Sequence, residues 1–259
     1  INILSTSRKS NDTSFNFDIK DENNKLKKII EEAKPYAIIN CIALTNVDQC
    51  EVNKDNASLV NSIFPRNLVD VISKTPIKPK LVHISTDQLY ESNFWSEIGQ
   101  ENPINIYSKS KLAGDKYVLN YPKSTILRTN FLWNDDHNSP VNWLIKKSLK
   151  KDEFILFEDV IYNPLEIRFL ASLIHKIIFK DLYGIYNIGS RDFLSKAEVF
   201  SRIALILNLN IKNAKIQSID NIKLKAPRPK NMTIDIKKFE KDFDIKLPTM
   251  QETISKLLN

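Results

Sequence analysis

The chain has 259 residues, of which 42% are hydrophobic and 27% charged, the composition of a folded globular protein rather than a disordered one. Its 38 basic and 31 acidic residues give a net charge of +7, but they are interspersed along the chain, which argues against nucleic-acid binding. No run of 18 apolar residues occurs, which excludes a membrane-spanning helix. The two cysteines, Cys41 and Cys50, exclude a disulfide scaffold and favour a cytoplasmic protein, and no close Cys/His pair indicates a zinc site.

Apolar runs alternate with helical patterns along the chain, which is typical of parallel βαβ units. The apolar runs predict strands at 1–5, 14–18, 36–43, 80–85, 124–131, 154–159 and 184–189. The helical patterns predict helices at 22–34, 55–73, 107–119, 141–149, 166–179 and 195–207, and one from about 250. The continuous apolar strand at 36–43 is of the kind buried on both faces. Pro65 should kink the second helix, and Ser195 with Glu198 forms a capping box before the sixth.

The segment YSKSK places Tyr107 and Lys111 four residues apart, on one face of a helix. An ammonium beside a phenol lowers the phenol's pKa, so such a pair can exchange a proton with a carbonyl group. The motif has little meaning alone, because eight tyrosines in so lysine-rich a chain give about one such pair by chance. Its neighbours in the fold must therefore decide its meaning.

Polar residues follow two of the predicted strands. Ser85, Thr86 and Asp87 end the strand that precedes the Tyr107 helix, and INCIALTNVD brings Asn40, Thr45 and Asp48 to the end of the strand before it. Ligands of open parallel sheets bind outside the carboxyl ends of the strands. We therefore expect these groups and the helix to face one crevice, where a hydroxyl binds the same carbonyl oxygen that Tyr107 protonates.

The segments STDQLY, NPINIYSKSKLAGD and ILRTNF resemble the extended short-chain dehydrogenase/reductase superfamily. Within it the chain looks most like the dTDP-4-dehydrorhamnose reductase group, a likeness that also includes NCIALTNVDQCE, VNSIFPRNL, GIYNIGS and APRPKNMTID. The resemblance implies an α/β fold with a doubly wound, Rossmann-type parallel sheet and a smaller substrate-binding lobe. It implies a dinucleotide-binding domain at 1–133 and 165–190, and a substrate lobe at 134–164 and 191–259.

The resemblance also implies the site residues. Tyr107 would be the general acid that protonates the keto oxygen, with Lys111 lowering its pKa and binding the nicotinamide ribose. Thr86 would orient the keto oxygen, and Asn61 would support the lysine. Substrate would contact Thr45, Val47, Thr86, Asp87, Phe131 and Arg228. The cofactor, NADP or NAD, would contact Arg8, Asp18, Cys41, Ile42 and Ala43 besides Tyr107 and Lys111, and Arg8 with Lys9 would suit the 2′-phosphate of NADP.

Simpler interpretations stand beside these roles. Thr86 and Asp87 could cap the turn after their strand, and Asn61 could be a surface or capping residue. Arg8 and Lys9 could form a solvated loop, and the prolines beside Arg228 could stiffen another. Cys41 is expected to be a small buried side chain and His83 a hydrogen-bonded core histidine.

The sequence departs from the superfamily in two places. Its opening strand and G-x-x-G-x-x-G turn, roughly 25 to 30 residues that hold the cofactor pyrophosphate, have no counterpart here. The chain also begins with Ile1, so we expect a truncated fragment with such a strand and turn encoded upstream. Gln88 stands where the dehydratases of the superfamily place a carboxylate, which disfavours dehydration.

Reduction of a 4-keto-6-deoxy sugar nucleotide in dTDP-rhamnose and polysaccharide biosynthesis is the function that the resemblance implies, in a homodimer. The alternatives are a non-catalytic sugar-nucleotide-binding subunit that regulates a partner enzyme, and a related epimerase.

Overall fold

The computed structural model describes residues 2–7, 14–21, 23–91, 93–132 and 139–257. Its strands are β1 (Thr6–Ser7), β2 (Phe15–Asn16), β3 (Ala37–Asn40), β4 (Lys80–Thr86), β5 (Ser124–Thr129), β6 (Phe131–Leu132), β7 (Phe154–Phe157), β8 (Ile161–Tyr162), β9 (Leu165–Glu166), β10 (Gly184–Asn187), β11 (Leu194–Ser195), β12 (Ala214–Gln217) and β13 (Asn231–Met232). Its α-helices are α1 (Asn23–Ala33), α2 (Val47–Val52), α3 (Lys54–Ser58), α4 (Phe64–Lys74), α5 (Ile106–Leu119), α6 (Pro140–Lys150), α7 (Ile167–Ile177), α8 (Lys196–Ile206), α9 (Lys237–Phe243) and α10 (Met250–Leu257). Within these residues no helix is both long and apolar enough to cross a membrane.

The main sheet has the strand order β10-β5-β4-β3, and all three pairings are parallel. Successive residues of its central strands point to opposite faces. Leu81 and Ile126 pack with α1 and α4 on one face, whereas Val82 and Leu127 pack with α7 and α9 on the other. Both faces are therefore buried, and the predicted doubly wound α/β fold is confirmed.

The sheet is interrupted on the far side of β3. The parallel pair β1–β2 forms a separate ladder, and β3 pairs only with β4 among the described residues. Ile39, in the middle of β3, is 45% exposed, so the prediction of a strand buried on both faces is wrong at this position. The first strand was also misplaced: residues 2–5 are exposed and outside any ladder, and pairing begins at Thr6. The opening strand of the superfamily, which has no counterpart in this sequence, would belong to this sheet.

The helix predicted at 55–73 is built from three pieces. A π-helical turn at Leu59–Ile63 joins α3 to α4, and the amide of Phe64 bonds back to the carbonyl of Leu59. Pro65 has no N–H to give to the carbonyl of Asn61. The wider turn directly precedes Pro65, where a kink is predicted, and π turns occur frequently at functional sites.

A second hydrophobic cluster contains α6, α8 and α10 together with β7 and β12. Beside it, β8 pairs with both β11 and β13. The predicted capping box is confirmed, since Ser195 accepts from the amide of Glu198 and the Glu198 side chain accepts from the amide of Ser195. The sequence did not predict α2 or α9, which are only six and seven residues long.

Candidate active site

The carboxyl end of β4 and the first turns of α5 form the candidate active site. Thr86 ends the strand, and its hydroxyl accepts the amide of Gln88 at 3.2 Å, capping a 3₁₀ turn at Asp87–Leu89. Asn105 fixes the start of α5 through a capping box with Ser108. The first turn of the helix then carries Tyr107 into the protein at the end of the strand.

Tyr107 is 7% exposed and packs in a small apolar cluster with Val47, Cys50 and Ala226. Its hydroxyl lies close enough to that of Thr86 for the two groups to interact. Burial raises the pKa of the phenol well above its ordinary value, with the Thr86 hydroxyl opposing the rise and the Asp87 carboxylate adding to it. The phenol is therefore protonated at neutral pH, which is the form that a proton donor requires.

Lys111 directs its amine at β4. Nζ donates to the carbonyl oxygen of Ile84 at 2.8 Å and lies 3.3 Å from Nε2 of His83. The side chain is 1% exposed, and burial lowers its pKa to about 8 against the attraction of Asp115. Burial of the phenol has the larger effect on the pKa of Tyr107, and the lowering of that pKa by Lys111 stays a prediction.

Asp87 is 2% exposed beside these groups. One of its oxygens accepts the Thr86 hydroxyl at 3.3 Å, and the other accepts Nδ2 of Asn130 at 2.9 Å. Burial raises the pKa of the carboxyl to about 6, against the bond from Asn130 and the charge of Lys196. Thr86 thus caps a turn, as the simpler interpretation predicts, and its role toward a keto oxygen stays a prediction.

Asn61 is fully buried in the π turn and ties two segments of the site together. It accepts the amide of Leu44 at 2.8 Å, and its Nδ2 donates to the carbonyl of Leu44 and to the hydroxyl of Ser110. Its backbone carbonyl approaches Gly114 so closely that a Cβ there would lie 2.2 Å away. The expected support of Lys111 is therefore indirect, through the packing of α5 on the π turn.

The remaining substrate candidates surround Tyr107 unevenly. Val47 shares its apolar cluster, whereas Thr45 is exposed and Phe131 is half-buried against the second face of the main sheet. Arg228 forms an ion pair with Asp48 at 3.0 Å and bonds the carbonyl of Ala226 at 2.9 Å. Asp48 also accepts the amide of Ala226, so Arg228 joins the C-terminal segment to α2 as well as flanking the site.

Three of the cofactor candidates, Cys41, Ile42 and Ala43, directly follow β3. Cys41 follows β3 and is exposed, so the expectation of a buried thiol is wrong, because the strand ends one residue earlier. Ile42 and Ala43 are half-buried. Asp18 is half-buried and accepts the amide of Lys20 in a local turn. Arg8, with Lys9, lies outside the described residues.

Sequence reasoning missed three polar groups that act on Asp87 from other parts of the chain: Asn130 through a hydrogen bond, and Tyr162 and Lys196 through electrostatic interaction. The pairing of β11 with β8 brings Lys196 to Tyr162, whose ring centroid lies 6.0 Å from Nζ. In the sequence, Lys196 shows only as the residue after a helix cap. No local pattern links it to a carboxylate more than 100 residues earlier.

A buried polar network extends behind Lys111, and it confirms the prediction of a hydrogen-bonded core histidine. His83 is fully buried and its Nδ1 lies 3.0 Å from Nδ2 of Asn40. Asp115 lies on the other side, with one oxygen 3.7 Å from Nε2 of His83 and the other 3.0 Å from Nε of Arg128. Asn40 thus points into the network rather than into the crevice.

The chain belongs to the RmlD substrate binding domain family, whose model matches residues 1–259. The dTDP-4-dehydrorhamnose reductase of Aggregatibacter actinomycetemcomitans is 28% identical over 88% of this chain and 82% of that protein. The structure of dTDP-4-dehydrorhamnose reductase from Bacillus anthracis in complex with NADP superimposes with a TM-score of 0.85 at 27% identity, covering 92% of this chain and 85% of that one. The methionine adenosyltransferase 2 subunit beta of Xenopus laevis is 26% identical over 83% of this chain and 67% of that protein.

Proposed function

We propose that this member of the RmlD substrate binding domain family reduces a 4-keto-6-deoxy sugar nucleotide with NADPH or NADH. The observation that carries the proposal is the buried phenol of Tyr107, which lies beside Thr86 at the carboxyl end of β4. Relatives named dTDP-4-dehydrorhamnose reductase support the same reaction. Gln88, which cannot act as a base, disfavours dehydration.

In the proposed reaction Tyr107 gives its proton to the keto oxygen, which becomes the new hydroxyl group. Thr86 lies beside the phenol and orients the same oxygen, a role for which its position at the strand end is suited. The amine of Lys111, with a pKa of about 8, is able to return a proton to Tyr107 near neutral pH. Asn61 holds Leu44 and α5 in register, so that Val47 packs against the phenol ring.

The residues at the end of β3 fit the nicotinamide half of a dinucleotide. Cys41 is exposed next to the interruption of the sheet, Ile42 and Ala43 continue along it, and Lys111 has donors suited to ribose hydroxyls. When bound, the cofactor supplies the hydride that becomes the new C–H bond. Asp18 and Arg8 complete the proposed cofactor contacts.

Two cations fit the diphosphate of a nucleotide sugar. Arg228 reaches the site from the C-terminal segment, and Lys196 lies close enough to Asp87 and Arg228 for the charges of all three to interact. We assign Thr45, Asp87 and Phe131 to the sugar, and the lobe at 134–164 and 191–259 to the nucleotide. The dinucleotide domain then consists of 1–133 and 165–190, in a cytoplasmic homodimer.

The experiment is a reduction assay on dTDP-4-dehydro-6-deoxy sugars with NADPH or NADH, followed at the nicotinamide absorbance, with product identified by mass spectrometry. We expect a reduced sugar nucleotide two mass units heavier than the substrate. Release of water would indicate a dehydratase, and an isomer formed without net cofactor oxidation would indicate an epimerase.

A regulatory subunit that binds a sugar nucleotide without turnover is the second candidate. Two observations favour it: the similarity to a protein named as a subunit of methionine adenosyltransferase, and the bond that holds the Lys111 amine on Ile84. Calorimetric titration with thymidine diphosphate and NADPH separates the candidates. If the protein binds these ligands but reduces no 4-keto sugar, the regulatory-subunit hypothesis would be supported and the proposed reductase activity would be wrong.

A further inference from the structure

The orientation of the Asn40 side-chain amide is fixed by a backbone group. Asn40 is 3% exposed, and one of its side-chain atoms lies 3.1 Å from the amide nitrogen of Ile42. A backbone N–H can only donate, so the atom facing it must be the carbonyl oxygen Oδ1. The opposite atom, Nδ2, then faces Nδ1 of His83 at 3.0 Å and donates to it.

The tautomer of His83 follows from this contact. Nδ1 accepts from Asn40 and therefore carries no proton, so the neutral ring must carry its proton on Nε2. In an imidazolium, the Nδ1–H of His83 and the Nδ2–H of Asn40 would both be donors facing each other. The Asn40 amide cannot flip to relieve this without losing the hydrogen bond from the amide of Ile42. Complete burial also disfavours the charged ring, as does the neighbouring Lys111.

The Nε2–H group meets two side chains of α5. Nζ of Lys111 lies 3.3 Å from Nε2, and Oδ1 of Asp115 lies 3.7 Å from it. Oδ1 of Asp115 is buried, and no described residue forms a hydrogen bond with it within ordinary distance. Lys111 already donates to the carbonyl of Ile84. If its amine is charged there, the Nε2–H of His83 places a second donor beside the ammonium, whereas an acceptor would stabilise the charge.

We propose that Asn40 and His83 are positioning residues for Lys111: Asn40 locks His83 as the Nε2–H tautomer, which presents a donor to the lysine and prevents His83 from binding its ammonium. As a result, the buried position beside Ile84 binds the charged form of the Lys111 amine only weakly. The lysine can leave it for the crevice at the end of β4, where the proposed reaction requires its charge. The proposal rests on the proposed function only for this last step.

The tautomer is measured directly by long-range ¹H–¹⁵N NMR on protein labelled at histidine. The chain has three histidines, so the spectrum is simple, and His83→Gln assigns the signal of interest. We expect His83 to show a bare Nδ1 and a protonated Nε2, unchanged between about pH 5.5 and about pH 8.5, where free histidine titrates. A proton on Nδ1, or conversion to the imidazolium in this interval, would overturn the proposal.

The effect on Lys111 is tested by Asn40→Asp. An ionised carboxylate accepts from Nδ1–H, so the ring changes tautomer and Nε2 becomes an acceptor for Lys111. We expect the pKa of Lys111, followed by NMR of labelled lysine and assigned with Lys111→Arg, to rise by about one unit or more. An unchanged pKa would overturn the proposal.

The negative charge that Asn40→Asp introduces raises the pKa of Lys111 even without a change of tautomer. Asp115 and Cys41 also act on the pKa of Lys111, and Arg128 acts on that of Asp115. The control is therefore the double variant Asn40→Asp with His83→Gln, which keeps the charge and removes the ring. Most of the rise should disappear in the double variant. A rise of the same size would show that charge alone is responsible. None of these measurements requires catalysis, so a failure of the proposed reductase activity is recognised separately.

Discussion

Asp115 and Arg128 form an ion pair whose two side chains are each 1% exposed, with Nε 3.0 Å from Oδ2. The pair joins α5, which carries the candidate catalytic side chains, to the central strand β5. Arg128 also donates to the hydroxyl of Tyr90 at 2.8 Å and pairs with Glu101. Burial raises the pKa of Asp115 and the positive charge of Arg128 opposes that rise, so each charge depends on the other.

Breaking this pair should therefore destabilise the whole domain. Arg128→Met leaves Asp115 buried without its partner, and we expect the free energy of unfolding to fall by about 3–5 kcal/mol. Urea unfolding followed by circular dichroism measures the change. The exposed pair of Lys215 with Glu153 provides the control, and Lys215→Met should change stability by less than about 1 kcal/mol. Equal effects of the two substitutions would contradict this account of the network.

Tyr107→Phe should abolish most turnover while preserving the fold. The ring keeps its packing against Val47 and Cys50, but the proton donor is gone. General acid catalysis contributes roughly 10²–10⁴-fold, which sets the expected loss in kcat. Tyr117→Phe is the control on the outer side of the same helix, where the ring is 38% exposed and lies beneath Arg66. If Tyr107→Phe retained activity within a few-fold of the parent, the proposed proton transfer would be wrong.

The buried carboxyl of Asp87 should make stability depend on pH. Its pKa is raised from 3.8 to about 6 in the folded protein, so the folded state binds a proton more tightly than the unfolded state between these values. Stability should consequently fall as the pH rises from about 4 to about 6 and level off above, by an amount of the order of 3 kcal/mol. Asp87→Asn removes the titrating group. Parallel pH profiles of unfolding free energy for parent and variant would refute the assignment.

Lys196→Met should weaken nucleotide binding without affecting the fold. Burial lowers the pKa of Lys196 and Asp87 opposes that shift, and the amine lies 6.0 Å from the ring centroid of Tyr162. Loss of one charge-assisted hydrogen bond to a phosphate should raise the dissociation constant of thymidine diphosphate about tenfold. Calorimetry on Lys196→Met and on Lys237→Met, whose side chain is 89% exposed, makes the comparison. Equal affinities would remove Lys196 from the proposed diphosphate contact.

Local patterns were sufficient for much of the fold. The apolar runs located β4, β5 and β10, and the capping box at Ser195 located the start of α8. They misplaced the first strand because an apolar run shows that a segment can pair, but not which residues find a neighbour. Likewise, Pro65 predicted an irregularity in this helix but not the π turn before it, where Asn61 packs closely against Gly114.

The sequence by itself determined the fold class and brought Thr86 and Tyr107 to the same crevice, because the carboxyl ends of parallel strands and the helices after them share one edge of the sheet. Only the tertiary structure decided the protonation chemistry of that crevice. Desolvation and groups from distant segments set it: Asn130 and Lys196 act on Asp87, and burial together with the carbonyl of Ile84 on β4 acts on Lys111. Their effect depends on distance in space and on exclusion of water, and neither quantity is encoded in the spacing of residues along the chain.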